Sequence, residues 1–526
     1  MFGFEGENAR EKVIVLFTMC FALGMAMLDN TVVNVALPTI SRELGAGVSE
    51  LQWIVDGYVL VFASLLLTGG IAGDRYGRKK VFLIGLVVFT LASALCGLSQ
   101  STTQLIAARA FQGVGAALRM PGTLSIITVT FPPHERAKAI GLWAGMSGVA
   151  LALGPTVGGL MVERLGWQSV FFLNVPIGIV AVVTASRTVR ESVSEVTREL
   201  DIPGLLLGSG ALFSATYALI EANELGWSDP LIVGMLVASA VLTVSFLLFE
   251  RRSPKAMLPL RFFRIPAFSA GATVAFSVSF GMFATFFFMS LYMQLIRGYS
   301  AFQAGVRFLP MTVLIIVTAP NAGRYASKHG SRIPMTFGLL LAGTGLLLLS
   351  RISIETPYLL MAPVFAIMGI GIGATMAPMT AAVMNAVGPE RAGLGSATTN
   401  SAREVGGVFG IALLGTILTT RLNTVLAPAL APLGLAPATQ ASIETTAGHG
   451  TLDPSQLAGL PVEQRGAVVA AFRESWMNGF RLSLLVAGLV LLIAAVVANR
   501  FIPGRAHARE VTAAARVGDV SALEVS

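Results

Sequence analysis

Gly70-Ile71-Ala72-Gly73-Asp74-Arg75-Tyr76-Gly77-Arg78-Lys79-Lys80 is a short, glycine-broken basic stretch between two long apolar segments. A weaker copy, Gly323-Arg324-Tyr325-Ala326-Ser327-Lys328-His329-Gly330-Ser331-Arg332, lies 253 residues further on, again between apolar segments. Two more pairs keep nearly the same spacing. Glu135-Arg136-Ala137 returns as Glu390-Arg391-Ala392. Gly113-Val114-Gly115 with Met120-Pro121 returns as Gly369-Ile370-Gly371 with Met376-Ala377-Pro378. The chain therefore reads as a duplicated membrane unit. Duplicated bundles rocking around a midplane site are a geometry of alternating access, so the repeat suits a transporter.

Composition agrees. The 526 residues are 54% hydrophobic and 12% charged, where a soluble domain carries about 25% charged residues. Mean hydropathy is +0.76. Each spanning helix needs about 20 apolar residues, and apolar runs predict fourteen: 13–36, 51–72, 81–99, 103–126, 139–162, 169–188, 202–220, 231–249, 267–290, 304–322, 333–351, 357–380, 396–419 and 480–501. The runs are continuous, without the alternation of a membrane barrel. No cleavable leader is expected, because the first apolar run is long and contains Asp29. Cys20 and Cys96 lie in apolar runs and suggest neither a metal site nor a disulfide framework.

Charge orients the helices. Basic residues fill alternate connections: Arg75, Arg78, Lys79 and Lys80; Arg136 and Lys138; Arg187, Arg190 and Arg198; Arg251, Arg252, Lys255, Arg261 and Arg264; Arg324, Lys328 and Arg332; Arg500, Arg505 and Arg509. The positive-inside rule puts these loops and both termini in the cytoplasm. The net charge of +8 then reports topology and contact with anionic lipid, and no separate basic helix suggests a nucleic-acid partner. The expected order is a cytoplasmic N-terminus (1–12), a six-helix bundle (13–188), a bridge with two extra helices (189–266), a second six-helix bundle (267–501) and a cytoplasmic tail (502–526). The outer loop 420–479 is rich in Ala, Pro, Thr and Gly and predicts flexibility, with one short amphipathic helix near 461–472.

The copies differ where chemistry would sit. Asp74 falls opposite Ser327, Arg109 opposite Phe365, and Asp29 near Phe286. Acid and base gather in the first half. The facing segment of the second is aromatic: Phe276, Phe280, Phe283, Phe286, Phe287 and Phe288. That row, with Met282 and Met289, predicts either a compliant apolar wall or side chains that face lipid.

These stretches resemble the major facilitator superfamily, in particular its fourteen-helix drug:proton antiporter branch. The Gly70–Lys80 loop is similar to the superfamily signature between helices two and three. Leu28-Asp29-Asn30-Thr31-Val32-Val33-Asn34-Val35-Ala36-Leu37-Pro38 resembles the branch's first-helix motif, and Arg109-Ala110-Phe111-Gln112-Gly113-Val114-Gly115 its fourth-helix motif. Gly154-Pro155-Thr156-Val157-Gly158-Gly159 resembles the fifth-helix motif of exporters, followed by Trp167 and Phe172-Leu173-Asn174-Val175-Pro176. Arg119 and Glu404 depart from the pattern, standing where an apolar residue and Gln are usual. The resemblance implies an all-α membrane protein of two parallel six-helix bundles plus two bridging helices. It would work as a monomer in the bacterial cell membrane, exchanging lipophilic drug- or antibiotic-like molecules for protons. A lipid or nutrient carrier of the same fold is the alternative.

Residue by residue, an ionised carboxylate at membrane depth costs several kcal/mol, so Asp29 can couple transport to proton binding or can pack against a neighbouring amide or hydroxyl. Asp56, near Trp53 and Tyr58, is either a second proton site or an interfacial residue. Arg109 is a fixed cation beside a carboxylate or bonded to backbone. Glu404 is a proton site or a local partner of Arg403. Gly70, Asp74, Arg75, Gly77, Arg78 and Lys79 form an expected conformational latch. Gly154, Pro155, Gly158 and Gly159 provide close packing and a bend. Asn34, Gln112, Arg119, Phe283 and Phe287 are the expected cavity residues. No cofactor or metal is called for. There is no phosphate-binding Gly-x-x-x-x-Gly-Lys-Ser/Thr loop and no His-Glu-x-x-His, and the four dispersed histidines argue against an enzyme. The proton gradient is the expected energy source.

Overall fold

The computed structural model describes residues 9–193, 201–253, 256, 260–387, 392–448, 450, 452 and 457–504. Most of the expected terminal segments, Arg198, Lys255 and the Glu390-Arg391 copy lie outside the described residues. Within them every regular element is helical, as a chain in lipid requires when its backbone must satisfy its own hydrogen bonds.

The first half comprises α1 (Ala9–Leu44), α2 (Val48–Tyr76), α3 (Arg78–Leu98), α4 (Thr102–Thr130), α5 (Pro133–Leu165), the single turn α6 (Ser169–Phe172) and α7 (Asn174–Thr188). Then come α8 (Ile202–Leu225) and α9 (Pro230–Arg252). The second half holds α10 (Pro266–Leu291), α11 (Ala301–Arg307), α12 (Leu309–His329), α13 (Arg332–Leu349), α14 (Tyr358–Val387), α15 (Ala392–Leu430), α16 (Pro437–Gly448) and α17 (Val462–Phe501). Twelve segments among the described residues are long and apolar enough to cross a membrane. Two more helices, α4 and α5, are 29 and 33 residues long. Helix starts follow local chemistry: Ser101 accepts from the Gln104 N–H, Asp229 from the Leu231 N–H, and Ser300 and Gln303 form a reciprocal cap.

The outer loop departs most from expectation. Residues 420–430 continue α15, residues 462–479 begin the 40-residue α17, and α16 lies between them. Leu422, Leu426, Leu430, Ile443 and Ala447 are buried. The Ala-rich composition that suggested flexibility also favours helix, and this sparse apolar set closes the helices on one another. Two expected helices are broken: 169–188 divides at Leu173, and 304–322 divides at Phe308, where Pro310 opens α12. α10 ends in a π-helical turn, Tyr292–Ile296.

α1 packs on α5, α4 packs on α2 and α3, and α7 packs on α3 and α1. The second half repeats this with α10 on α15, α14 on α12 and α13, and α17 on α13 and α10. One detail repeats closely. A Cβ on Gly115 would lie 2.9 Å from the Gly85 carbonyl, and a Cβ on Gly371 would lie 2.5 Å from the Gly338 carbonyl. Both helix crossings therefore exclude any larger residue.

α9 exposes Val233, Val237, Val241, Val244 and Leu248, whereas α10 is almost wholly buried. The reading in which the phenylalanine row faces lipid is therefore corrected: Phe280, Phe283, Phe286, Phe287 and Phe288 are core residues, because α10 is enclosed by α14, α15, α17 and α1.

Candidate functional site

Three motifs meet inside the first half. Arg109 Nη1 of α4 pairs with Asp29 Oδ2 of α1 at 2.5 Å and donates to Gln112 Oε1 at 2.6 Å. Its Nε donates to the Ile54 carbonyl of α2 at 3.0 Å. Asp29 Oδ1 accepts from Gln112 Nε2 at 3.0 Å and from Asn174 Nδ2 of α7 at 3.1 Å. Ser93 Oγ of α3 accepts from Gln112 Nε2 at 2.7 Å. The Arg109 guanidinium lies 4.2 Å from the centre of the Tyr58 ring. Asp29 and Arg109 are 2% and 1% exposed, so this is a dry ion pair tying five helices together, with its remaining polar valences filled by amides. Such a pair holds only when its other donors and acceptors are satisfied, and here both Asp29 oxygens and Arg109 Nε and Nη1 are bonded. Arg109, expected beside a carboxylate or bonded to backbone, does both, and Gln112, expected in the cavity, is bonded into this network instead. Ser93 was not legible, being one small polar residue in an apolar run.

Arg119 lies deeper in the same bundle. Its guanidinium stacks 3.9 Å from the Phe89 ring centre and donates to the Ala22 carbonyl, while Nε and Nη2 have no partner. It is thus packed among α1, α3 and α4.

Asp56 and Glu404 sit elsewhere, on the seam between halves. Gln52 Nε2 of α2 donates to the Ile411 and Ala412 carbonyls of α15 at 2.7 and 3.3 Å. Asp56 is one turn along α2 from Gln52, and Glu404 is two turns along α15 from Ile411, so both lie on the faces their helices turn to each other. Both are buried; neither Asp56 oxygen nor Glu404 Oε2 has a hydrogen-bond partner. Asn34 donates to the Asn30 carbonyl at 2.7 Å and leaves its own Oδ1 unpartnered. Phe283 packs at Gly407 of α15, and Phe287 meets Phe288 edge-on at 4.8 Å.

The fifth-helix glycines serve two contacts. Gly154 and Gly158 rest on Thr31 and Val32 of α1, while Gly159 abuts the Ala301 and Phe302 backbone of α11. Gly305 in turn abuts the Pro155 backbone. Gln294, in the π-helical turn, donates to the Val35 carbonyl of α1 at 3.0 Å. Thr156 reaches the Gly305 carbonyl at 3.5 Å, and the Phe302 N–H meets Glu163 at 3.3 Å. These bonds between halves gather at the end of the bundle opposite the Gly70–Lys80 loop. That loop is fastened within its own half. Arg78 pairs with Asp74 at 2.8 Å, Lys79 Nζ donates to the Ser186 carbonyl at 2.8 Å, and Glu191 accepts from the Lys79 and Lys80 N–H groups. Gly77, at φ 110°, lets the Glu191 carboxylate lie against its α-carbon. Gly70 faces Pro121 of α4, and Arg75 is exposed.

Comparison with known proteins places this geometry. The Major Facilitator Superfamily description matches residues 19–411. The chain is 34% identical over 487 residues to the tetracenomycin C resistance and export protein of Streptomyces glaucescens, covering 92% of this chain and 90% of that one. It is 40% identical over 395 residues to the methylenomycin A resistance protein of Streptomyces coelicolor, covering 75% and 83%. It is 31% identical to the multidrug resistance protein Stp of Mycobacterium tuberculosis, covering 95% and 93%. Among solved structures, the inward-facing, unoccupied bacterial homologue of the human lysosomal transporter Spinster superposes with a TM-score of 0.63 at 16% identity, covering 95% of this chain and 100% of that one. The chain belongs to the major facilitator superfamily, as a multi-pass membrane transporter related to its antibiotic and multidrug exporters, and is not an enzyme.

Proposed function

We propose that this chain exports lipophilic, drug- or antibiotic-like small molecules across the bacterial plasma membrane in exchange for protons. In this reading fourteen helices cross the bilayer, the twelve apolar segments plus α4 and α5. Residues 13–188 and 267–501 form the moving halves, α8 and α9 are an inserted pair, both termini are cytoplasmic, and a monomer suffices. The conformation described is then closed on the outer side and faces inward.

The observation that carries the proton role is two buried carboxyl groups on facing sides of α2 and α15: Asp56, neither of whose oxygens is hydrogen-bonded, and Glu404, whose Oε2 is not. A carboxyl group so placed takes up a proton without breaking an existing bond, and the seam it lines must part for access to alternate. Asp29 responds differently. Protonating it breaks the Arg109 ion pair, which converts proton arrival into a rearrangement among α1, α2 and α4. One proton moving down 100 mV supplies about 2.3 kcal/mol. The Phe283 and Phe287 wall and Asn34 are the proposed substrate contacts, with Arg119 setting the charge behind them.

The test is uptake of ethidium, a lipophilic cation, into inverted membrane vesicles under an imposed pH gradient. Uptake abolished by an uncoupler and lost in Asp56→Asn and Glu404→Gln supports seam-based coupling. Loss confined to Asp29→Asn moves coupling to the ion pair. Uncoupler-insensitive uptake rejects proton antiport.

A further inference from the structure

The junction of α2, α8 and α15 points to a role for the inserted helices in the transport cycle. α8 packs on both halves, at the same end where the halves are bonded to each other. The bonds that hold it to each differ in kind. Toward α2, the Trp53 Nε1–H donates to Glu221 Oε1 at 2.7 Å, and the Trp53 ring lies 6.1 Å from the rings of both Phe213 and Tyr217. Toward α15, the Thr416 hydroxyl reaches the Leu219 carbonyl, but that hydroxyl also lies 2.9 Å from the Ala412 carbonyl of its own helix. Thr416 can let go of α8 and remain hydrogen-bonded. Pulling Trp53 away would strip its half-buried indole N–H of its acceptor and part its ring from both Phe213 and Tyr217.

We propose that α8 is a strap that travels with the first half and releases α15 when the closed end opens, with Trp53 and Glu221 as its positioning residues. The proposal rests on the alternating-access reading above. Its consequence falls on Asp56. That residue is three positions from Trp53 and four from Gln52, so it lies between the α8-facing and α15-facing sides of α2. Thr216, three positions from Phe213 and so on the same side of α8, is also fully buried, with its hydroxyl unpartnered. If α8 stays with α2, parting of α15 opens Asp56 toward the space between the halves while its lipid side stays covered. A strap that stayed with α15 would expose that carboxyl group to lipid instead.

The test uses nitroxide pairs on the full-length protein in lipid nanodiscs, at the exposed positions Arg42 (first half), Leu225 (α8) and Arg421 (α15). Distances are measured with and without Gly305→Trp. That change wedges the α5–α11 contact, because even a Cβ at Gly305 meets the Pro155 backbone. The expected result is that the wedge lengthens the 42–421 and 225–421 distances by about 5 Å, one helical turn, and leaves 42–225 unchanged. Lengthening of 42–225 overturns the strap, whether or not 225–421 also changes. The 42–421 pair reports the parting itself, so failure of that distance to change overturns alternating access at this end and the strap with it. In the wedged protein Glu221→Leu is expected to lengthen 42–225, and Glu221→Gln, which keeps a carbonyl acceptor, to restore it. An unchanged distance in Glu221→Leu removes Trp53 and Glu221 as the fastening.

Discussion

The two halves fill the same slot with opposite chemistry. In the first, Asp29 of α1, the Ile54 carbonyl of α2 and Arg109 of α4 converge in one buried ion-pair network. The repeat spacing carries these positions to Phe286, Phe308 and Phe365. Their rings touch, with centroids 5.2 Å apart for Phe286–Phe308 and 5.8 Å for Phe308–Phe365. The glycine crossings around each slot are kept, so the frame is common and the filling differs. Three rings hold together whatever the proton concentration. An ion pair holds only while its carboxylate is charged. The difference makes the first slot one whose packing can answer to a proton, while the matching slot in the second half cannot.

The largest effect should come from breaking the charged filling. Arg109→Ala leaves Asp29 buried beside two amides without its cation. We expect a loss of about 3–5 kcal/mol, read as a lowered midpoint in thermal unfolding of the purified protein. The double change Asp29→Leu with Arg109→Met makes the first slot apolar, like the second. It should recover most of that stability, since well-packed apolar replacements of buried pairs are often neutral, while proton-driven uptake stays lost. Full uptake by the double variant would reduce the ion pair to scaffolding. Next in size is the matching change in the other half. Phe365→Leu removes one ring–ring contact, worth about 1 kcal/mol, and should leave the pH dependence of uptake as in the wild type. A shifted pH profile there would break the comparison.

Much of this contrast was legible from residue types and spacing. Period and hydropathy locate the helices, and the repeat alone sets Arg109 opposite Phe365 and Asp29 near Phe286. Two kinds of feature were not legible. Ser93 and Gln294 are small polar interruptions of apolar runs, and nothing in a one-dimensional pattern says which neighbour completes their hydrogen bonds. In the 420–479 stretch the sequence shows only one short amphipathic helix, near 461–472, and not that 420–430 and 462–479 extend the spanning helices, because their apolar residues are few and spaced among Ala and Thr. They become a core only when α15, α16 and α17 share them. Glu404 stays between its two readings: Arg403 beside it remains an electrostatic neighbour, while its Oε2 has no hydrogen-bond partner on the seam.

The smallest effect tests the loops that revealed the repeat. Asp74 and Arg78 form an i,i+4 pair with side chains 43% and 19% exposed, and the second copy has Ser327 in place of Asp74. Asp74→Ser makes the first loop resemble the second at the cost of one surface ion pair, worth about 0–1 kcal/mol and weaker in salt. Stability should therefore change by less than about 1 kcal/mol. Transport is the sharper readout. In the conformation described, this loop is bonded to α7 and to the stretch just after it, both on its own side of the molecule, so any latch it forms with the second half belongs to the opposite conformation. A ten-fold fall in uptake with unchanged stability would place that latch in the state where the basic end is closed, and would make the two loops as unequal as the two slots. Uptake equal to wild type would leave Asp74 as a local partner for Arg78 and the basic residues as determinants of topology.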